Sequence, residues 1–263
     1  MSIELRDLHK AFGPKKILRG LSLDVEEGQT VSLVGFSGAG KSVTLKHING
    51  LLKPDSGTVF IDGLEVPKLD REKLYGLRLN IGYVFQFAAL FDSMTVDENI
   101  RMGLVKKGGL GEKEMRDRVA ESLALVDLTG FENRLPAELS GGQRKRAGLA
   151  RAIAYRPKYL LYDEPTSGRD PVTTTVIDRL IMRMKEELGV TSLVITHDMK
   201  SAYAISDRIA MLYEGRVVEV GTPDEIRNSE NNVVRSFVEG RPDLAHDAET
   251  PHPDDGGPQG RKS

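Results

Sequence analysis

Short apolar stretches alternating with amphipathic helical ones predict an α/β protein built on a mostly parallel sheet, interrupted by a helical insertion. Three observations carry this expectation. Residues 1–60 read as short strands punctuated by turns, the stretch from about Phe87 to Ala154 turns helical, and strand–helix alternation resumes after Pro157.

In the first part, Ile3–Leu8, Leu21–Val25, Thr30–Val34 and Thr58–Ile61 have strand character. Asp55-Ser56-Gly57 and Asp62-Gly63 mark turns, since glycine adopts positive φ without a Cβ penalty. Between Val34 and Thr58 a glycine-rich turn opens a helical stretch from Lys41 to about Leu51. In the middle part Met115, Val119, Leu123 and Val126 recur at near-helical spacing. Tyr159–Tyr162 and Thr191–Thr196 then read as buried strands, and Val172, Val176, Leu180, Ile181 and Met184 as the apolar face of a helix. Arg208–Leu212 and Val217–Val220 form a hairpin around Glu214-Gly215.

Composition narrows the function classes. In 263 residues, 39% are hydrophobic and 29% charged, the balance of an ordinary globular chain. A formal net charge of −2 gives no bulk attraction for nucleic acid or anionic membrane, so no nucleic-acid partner is expected. The chain has no cysteine, which excludes disulfides and thiolate metal sites. The N-terminus lacks the basic start and apolar run of a signal peptide. No window approaches the roughly 20 apolar residues of a membrane span, so any membrane role is expected through a partner. Residues 241–263 hold four prolines, three glycines and one leucine. That composition predicts a C-terminal tail that is disordered in isolation or binds a partner.

Three stretches carry chemistry. Gly35-Phe36-Ser37-Gly38-Ala39-Gly40-Lys41-Ser42 matches G-x-x-x-x-G-K-[ST] between an apolar strand and a helix. Successive backbone N–H groups there, with the helix N-terminus, form an anion-binding concavity. Lys41 would reach the β- and γ-phosphates and the Ser42 hydroxyl would ligate Mg²⁺. Tyr159-Leu160-Leu161-Tyr162 runs into Asp163-Glu164, where strand geometry turns neighbouring side chains to opposite faces. Asp163 suits the Mg²⁺ shell, and Glu164 suits the water that attacks the γ-phosphate. Leu139-Ser140-Gly141-Gly142-Gln143 is a capped helix entry with bare glycine N–H groups, a second anion site. One nucleotide does not need two such termini, whereas a head-to-tail dimer does.

On these motifs the chain resembles an ABC transporter nucleotide-binding domain over nearly all of residues 1–240. The resemblance implies a P-loop NTPase core, RecA-like and mostly parallel, over 1–86 and 155–240, with an antiparallel β subdomain and an α-helical subdomain inserted at 87–154. It implies ATP and Mg²⁺ as cofactors, ATP hydrolysis as the activity, and a homodimer sandwiching two ATP molecules between the cradles and the Ser140–Gln143 segments. Gln86 resembles the Q-loop glutamine that senses Mg²⁺ and the attacking water, His197 the switch histidine at the γ-phosphate, and Asp170 the D-loop aspartate linking the two sites. Phe12 stands where the family places an aromatic that stacks on adenine. His9 and His47 are read as structural. Phe36 stands where the family usually has Pro, at a position expected to face away from phosphate, and Arg169 where Leu is usual.

The segment after Gln86, residues 86–102, is where the family receives a short helix of the transmembrane permease. Phe87-Ala88-Ala89-Leu90-Phe91-Asp92-Ser93-Met94-Thr95-Val96 is apolar enough for that groove. This stretch, with Leu161-Tyr162-Asp163-Glu164, Thr196-His197-Asp198-Met199, Ala210–Gly215 and Val233–Phe237, is similar to the ATPases of Mla/MCE-type phospholipid transporters. That similarity implies a peripheral place on the cytoplasmic face of the inner membrane. It also implies an MCE substrate-binding protein and a STAS-domain protein as further partners. The alternatives are the ATPase of an importer for amino acids or other small polar solutes, a soluble ABC ATPase in DNA repair or translation, and a nucleotide-gated scaffold. A single cradle and a short 87–154 insertion argue against the soluble ATPase, and Glu164 with His197 against the scaffold.

Overall fold

The central sheet owes its position to strands apolar along their whole length. Thr30–Val34 (β3) and Thr191–Ile195 (β8) are buried at every residue, as expected of parallel strands covered on both faces. In the computed structural model, which describes residues 2–166 and 171–241, they lie side by side in a six-stranded sheet. Its other strands are Ile81–Val84 (β6), Tyr159–Asp163 (β7), Arg208–Tyr213 (β9) and Arg216–Gly221 (β10). The order is β10-β9-β3-β8-β7-β6, parallel from β9 to β6, with β10 antiparallel at one edge. A separate antiparallel sheet has the order β2-β1-β4-β5, formed by Lys15–Val25 (β2), Ile3–Phe12 (β1), Ser56–Ile61 (β4) and Leu64–Glu65 (β5).

Lys41–Ile48 (α1) packs Leu45 and Ile48 into the core between the two sheets, among Leu5, Leu21, Val59, Leu33 and Leu161. The opposite face of the parallel sheet is covered by Val96–Lys107 (α3), Glu112–Leu125 (α4), Gly141–Ile153 (α5) and Pro171–Leu188 (α6), whose buried side chains form a second core. Arg71–Arg78 (α2) precedes β6. Met199–Ile205 (α7), Pro223–Arg227 (α8) and Asn232–Glu239 (α9) cover the β3–β9 edge. No helix among the described residues is long and apolar enough to cross a membrane.

Local chemistry shifts several boundaries from the sequence expectation. Helix α1 stops at Ile48, not near Leu51, because Gly50 takes φ +67 and its N–H turns back to the His47 carbonyl. Strands β1 and β2 meet in a tight turn at Gly13-Pro14, with Phe12 paired to Lys15. Residues 87–95 are not helical. Ala88 and Ala89 have φ +61 and +50, and helix begins only where Thr95 and Glu98 form a reciprocal capping box.

Candidate functional site

Parallel strands deliver their C-terminal ends to one edge of the sheet, where ligands of open α/β sheets bind. Here the loop after β3 carries Gly35–Ser42, β7 ends in Asp163-Glu164, β8 is followed by His197, and β6 by Gln86. Register holds these ends level: Val84 is opposite Tyr162, and Asp163 opposite Ile195.

In the phosphate loop, Gly35, Gly38 and Gly40 have φ of 154, 83 and 109 degrees. A Cβ on Gly35 would lie 2.3 Å from the Leu212 carbonyl oxygen, so glycine is obligatory there. A Cβ on Gly38 would meet nothing within 4 Å, which leaves its surroundings open for an anion. Lys41 is buried, donating to the carbonyls of Gly35 (2.6 Å) and Phe36 (3.2 Å), with Nζ 4.0 Å from Glu164. Burial lowers its pKa, against the raising influence of Glu164 and Asp163. Ser37 and Gly38 are exposed at the loop's crest, and Ala39 N–H bonds the Phe36 carbonyl at 3.2 Å.

The two acids do separate, although strand alternation is not the cause. Asp163 ends β7, whereas Glu164 leaves the strand in the left-handed region, at φ +52. Asp163 accepts from the Ser42 hydroxyl (2.8 Å) and the Tyr83 hydroxyl (3.0 Å). Glu164 lies 2.7 Å from His197 Nδ1, and its N–H donates to the Ile195 carbonyl at 2.9 Å. A strained φ on a residue with a side chain costs about 1–3 kcal/mol, and here it turns a carboxylate toward the histidine. Gln86 is exposed beyond β6. Phe12 ends β1 with its ring 49% exposed, enough for a flat ligand to stack on.

Ser140 caps α5. Its hydroxyl accepts from Gln143 N–H (3.2 Å), while its own N–H donates to the Gln143 side chain (2.8 Å). Ser140, Gly141, Gly142 and Gln143 line a cavity of about 500 Å³ with Thr173 and Arg146, and no phosphate-loop residue lines it. Within one chain, the helix entry at Ser140 therefore opens into a cavity in which Gly35–Ser42 takes no part. Asp170 and Arg169 lie outside the described residues.

Three functional contacts escaped the sequence reading. Tyr83 holds Asp163, and burial, reinforced by the Asp163 carboxylate, pushes its hydroxyl pKa well above the usual tyrosine value. Lys145 is buried and donates to the Pro165 carbonyl (2.6 Å) beside Glu164. Arg151 donates to the carbonyls of Ala89 (2.6 Å) and Ala88 (3.0 Å), pinning the two strained residues of the loop after Gln86 to α5. Only Lys145 left a signal, being in helical phase with the apolar Leu149 and Ile153. His47 is buried and bonds the Val43 carbonyl at 2.7 Å.

The fold and this edge define a P-loop nucleoside triphosphatase cassette with a second, separate capped helix entry at Ser140. A family model described as ABC transporter matches residues 18–167. The chain belongs to the ABC transporter family, as an ATP-binding, ATP-hydrolysing cassette that uses Mg²⁺. It is 43% identical over 255 residues to "Protein TRIGALACTOSYLDIACYLGLYCEROL 3, chloroplastic" of Arabidopsis thaliana, covering 90% of this chain and 73% of that one. It is 41% identical over 241 residues to "Probable ribonucleotide transport ATP-binding protein mkl" of Mycobacterium leprae (92% and 70%). It is 43% identical over 224 residues to "Methionine import ATP-binding protein MetN" of Carboxydothermus hydrogenoformans (85% and 66%). Among solved structures it resembles the dimeric post-hydrolysis state of the ATP-binding cassette MJ0796 bound to ADP and Pi. That match has a TM-score of 0.76 and 36% identity, covering 84% of this chain and 98% of that one. It also resembles cbiO1 of Clostridium perfringens, with TM-score 0.80 and 31% identity over 94% and 98%. Cassettes of this family dimerise and work with permease subunits, associating peripherally with the membrane.

Proposed function

We propose that this cassette energises lipid transport through a separate permease, on the cytoplasmic face of the inner membrane. We take residues 1–240 as the ATPase unit, with 87–154 inserted between 1–86 and 155–240. Residues 241–263 serve as a segment reaching the second copy, and truncation after Gly240 that leaves dimerisation and assembly intact would remove that role.

In this reading the residues divide the work. The backbone of Gly35, Ser37, Gly38, Ala39 and Gly40 cradles the phosphates, Lys41 supplies charge, and Phe12 stacks on the base. Ser42 and Asp163, already in contact at 2.8 Å, fit Mg²⁺, which takes one or two protein oxygens and otherwise water and phosphate. Gln86 completes that shell. Mg²⁺ when bound neutralises charge on the phosphates. Glu164 accepts the proton of the attacking water, and His197 orients that carboxylate and reaches the γ-phosphate. Ser140, Gly141, Gly142 and Gln143 close the nucleotide held by the second copy, and Asp170 links the two sites.

The observation that carries the coupling is an aromatic groove beside Gln86. Phe85 and Phe91 are exposed around a cavity of about 420 Å³ shared with Met102, Gly103 and Tyr155, and Phe87, nearby in the chain but outside that lining, is 80% exposed. Exposed aromatics rimming an apolar groove suit an inserted helix, here the permease's. The lipid cargo is supported by the phrases similar to Mla/MCE-type ATPases and by a relative named for a galactosylated diacylglycerol. MCE and STAS-domain partners belong to the same reading. Exposing two acyl chains, about thirty CH₂ groups, would cost roughly 20 kcal/mol at ~0.8 per CH₂, so the partners must shield the path.

A second reading, import of a small polar solute, is favoured by the similarity to the methionine importer subunit. Purification of the complex from native membranes, then reconstitution in proteoliposomes, separates the two. ATP-dependent lipid transfer between vesicles supports the first reading. Turnover stimulated by methionine and not by lipid refutes it.

A further inference from the structure

Phe36 belongs to the phosphate loop by its backbone and to the C-terminal part of the chain by its ring. Its carbonyl accepts from Ala39 N–H and from Lys41 Nζ, each at 3.2 Å. Its ring lies 5.1 Å from that of Phe237 at an interplanar angle of 82°, and 6.1 Å from that of Tyr213 at 69°. These are edge-to-face geometries in the favoured range of separation. Phe237 projects from α9, whose Val233 and Val234 enter one apolar cluster with Val34, Ile209, Met211 and Ile226. That cluster therefore includes the last residue of the strand leading into the loop and the helix that ends the described chain. Gly35 lies against the backbone of Leu212, the chain neighbour of Tyr213.

We infer that α9 is a strut of the phosphate loop. Phe237 and Tyr213 hold the ring of Phe36, and through its carbonyl they hold Lys41 where the triphosphate needs it. Phe36 and Phe237 are thus positioning residues for ATP binding. Proline, the residue that the family resemblance gives as usual here, has no aromatic ring to pair with Phe237 and Tyr213, so the link is a feature of Phe36. The inference rests on reading Gly35–Ser42 as the ATP cradle.

The test is a double-substitution cycle on the full chain, read by equilibrium binding of ATP and by steady-state kinetics. Phe237→Ala and Phe36→Ala each raise the ATP Kd by about two- to tenfold, the worth of one aromatic pair. The double variant is no worse than the weaker single, because both cut the same link. The loss appears in KM, with kcat changing by less than about twofold. Phe237→Leu keeps apolar volume without the edge-to-face pair, and as a folded variant in thermal melts it shifts Kd in the same direction. Additive effects, or an unchanged Kd in Phe237→Ala and Phe237→Leu, overturn the strut. If Lys41→Ala also leaves ATP affinity unchanged, the cradle reading itself fails; if Lys41→Ala loses affinity, only the strut does.

Discussion

Replacing Glu164 with Gln removes one charge and one proton acceptor while keeping the shape of the side chain. The carboxylate lies 2.7 Å from His197 Nδ1 and 4.0 Å from Lys41 Nζ, and the backbone at φ +52 strains Gln and Glu alike. Chemistry and binding therefore separate. A positioned general base contributes about 10²–10⁴ in rate, or ~2.7–5.5 kcal/mol at 1.36 kcal/mol per tenfold. Binding has no such loss, since Lys41 sheds a competing anion and keeps its bonds to Gly35 and Phe36. Phosphate release at saturating ATP should fall by that factor, while the ATP Kd holds or tightens. The accumulated ATP-bound form should run as a dimer in size-exclusion chromatography. Turnover within about threefold of the unsubstituted chain would refute the assignment of the base, and so would a parallel loss of binding.

Lys41→Ala should weaken ATP binding by about 10–100-fold, the worth of charge-assisted bonds to phosphate. Equilibrium titration checks this, and unchanged affinity contradicts the cradle. Tyr83→Phe removes the 3.0 Å bond to Asp163 and should raise the Mg²⁺ concentration for half-maximal turnover about tenfold. An unchanged Mg²⁺ dependence would show that Tyr83 merely packs. Asp178 is buried, with one oxygen on the Ser201 hydroxyl (3.0 Å) and the other unpartnered. Burial, with Asp198 nearby, pushes its pKa up to about 6 from an ordinary 3.8. The folded chain then holds that proton more tightly than the unfolded one, so stability from this group is full below about 4 and lost as pH rises through about 6. Asp178→Asn should raise Tm at pH 8 and change it little at pH 4; a Tm gain that does not grow with pH contradicts this.

Where the chain announced itself, it did so through residues whose local chemistry leaves few options. The loop Gly35–Ser42 needs its glycines because Leu212 approaches Gly35 and because positive φ recurs at Gly38 and Gly40. The capping box at Ser140 is written in four consecutive residues. The buried strands β3, β7 and β8 were visible as apolar runs of strand length. Helix α2 was missed because its mean character is polar and only Leu77 is buried. Helices α8 and α9 are short, and α9 is set by packing on Phe36 and Tyr213, residues far away in sequence. The same holds for Tyr83, Lys145 and Arg151, whose roles arise from partners on other elements. The bend at Glu164 was illegible for another reason: a left-handed glutamate is held by the Ile195 carbonyl, a tertiary contact that overrides local preference.

In the proposed assembly the helix entry at Ser140, whose cavity no phosphate-loop residue lines, serves the cradle of the second copy. A structure of the Glu164→Gln chain bound to Mg²⁺ and ATP examines that directly. The account predicts two nucleotides per dimer, each lying between Gly35–Ser42 of one copy and Ser140–Gln143 of the other, with Ser140 Oγ or Gly142 N–H bonding the γ-phosphate. Nucleotide enclosed by one chain alone, with Ser140 and Gly142 facing solvent, would contradict it.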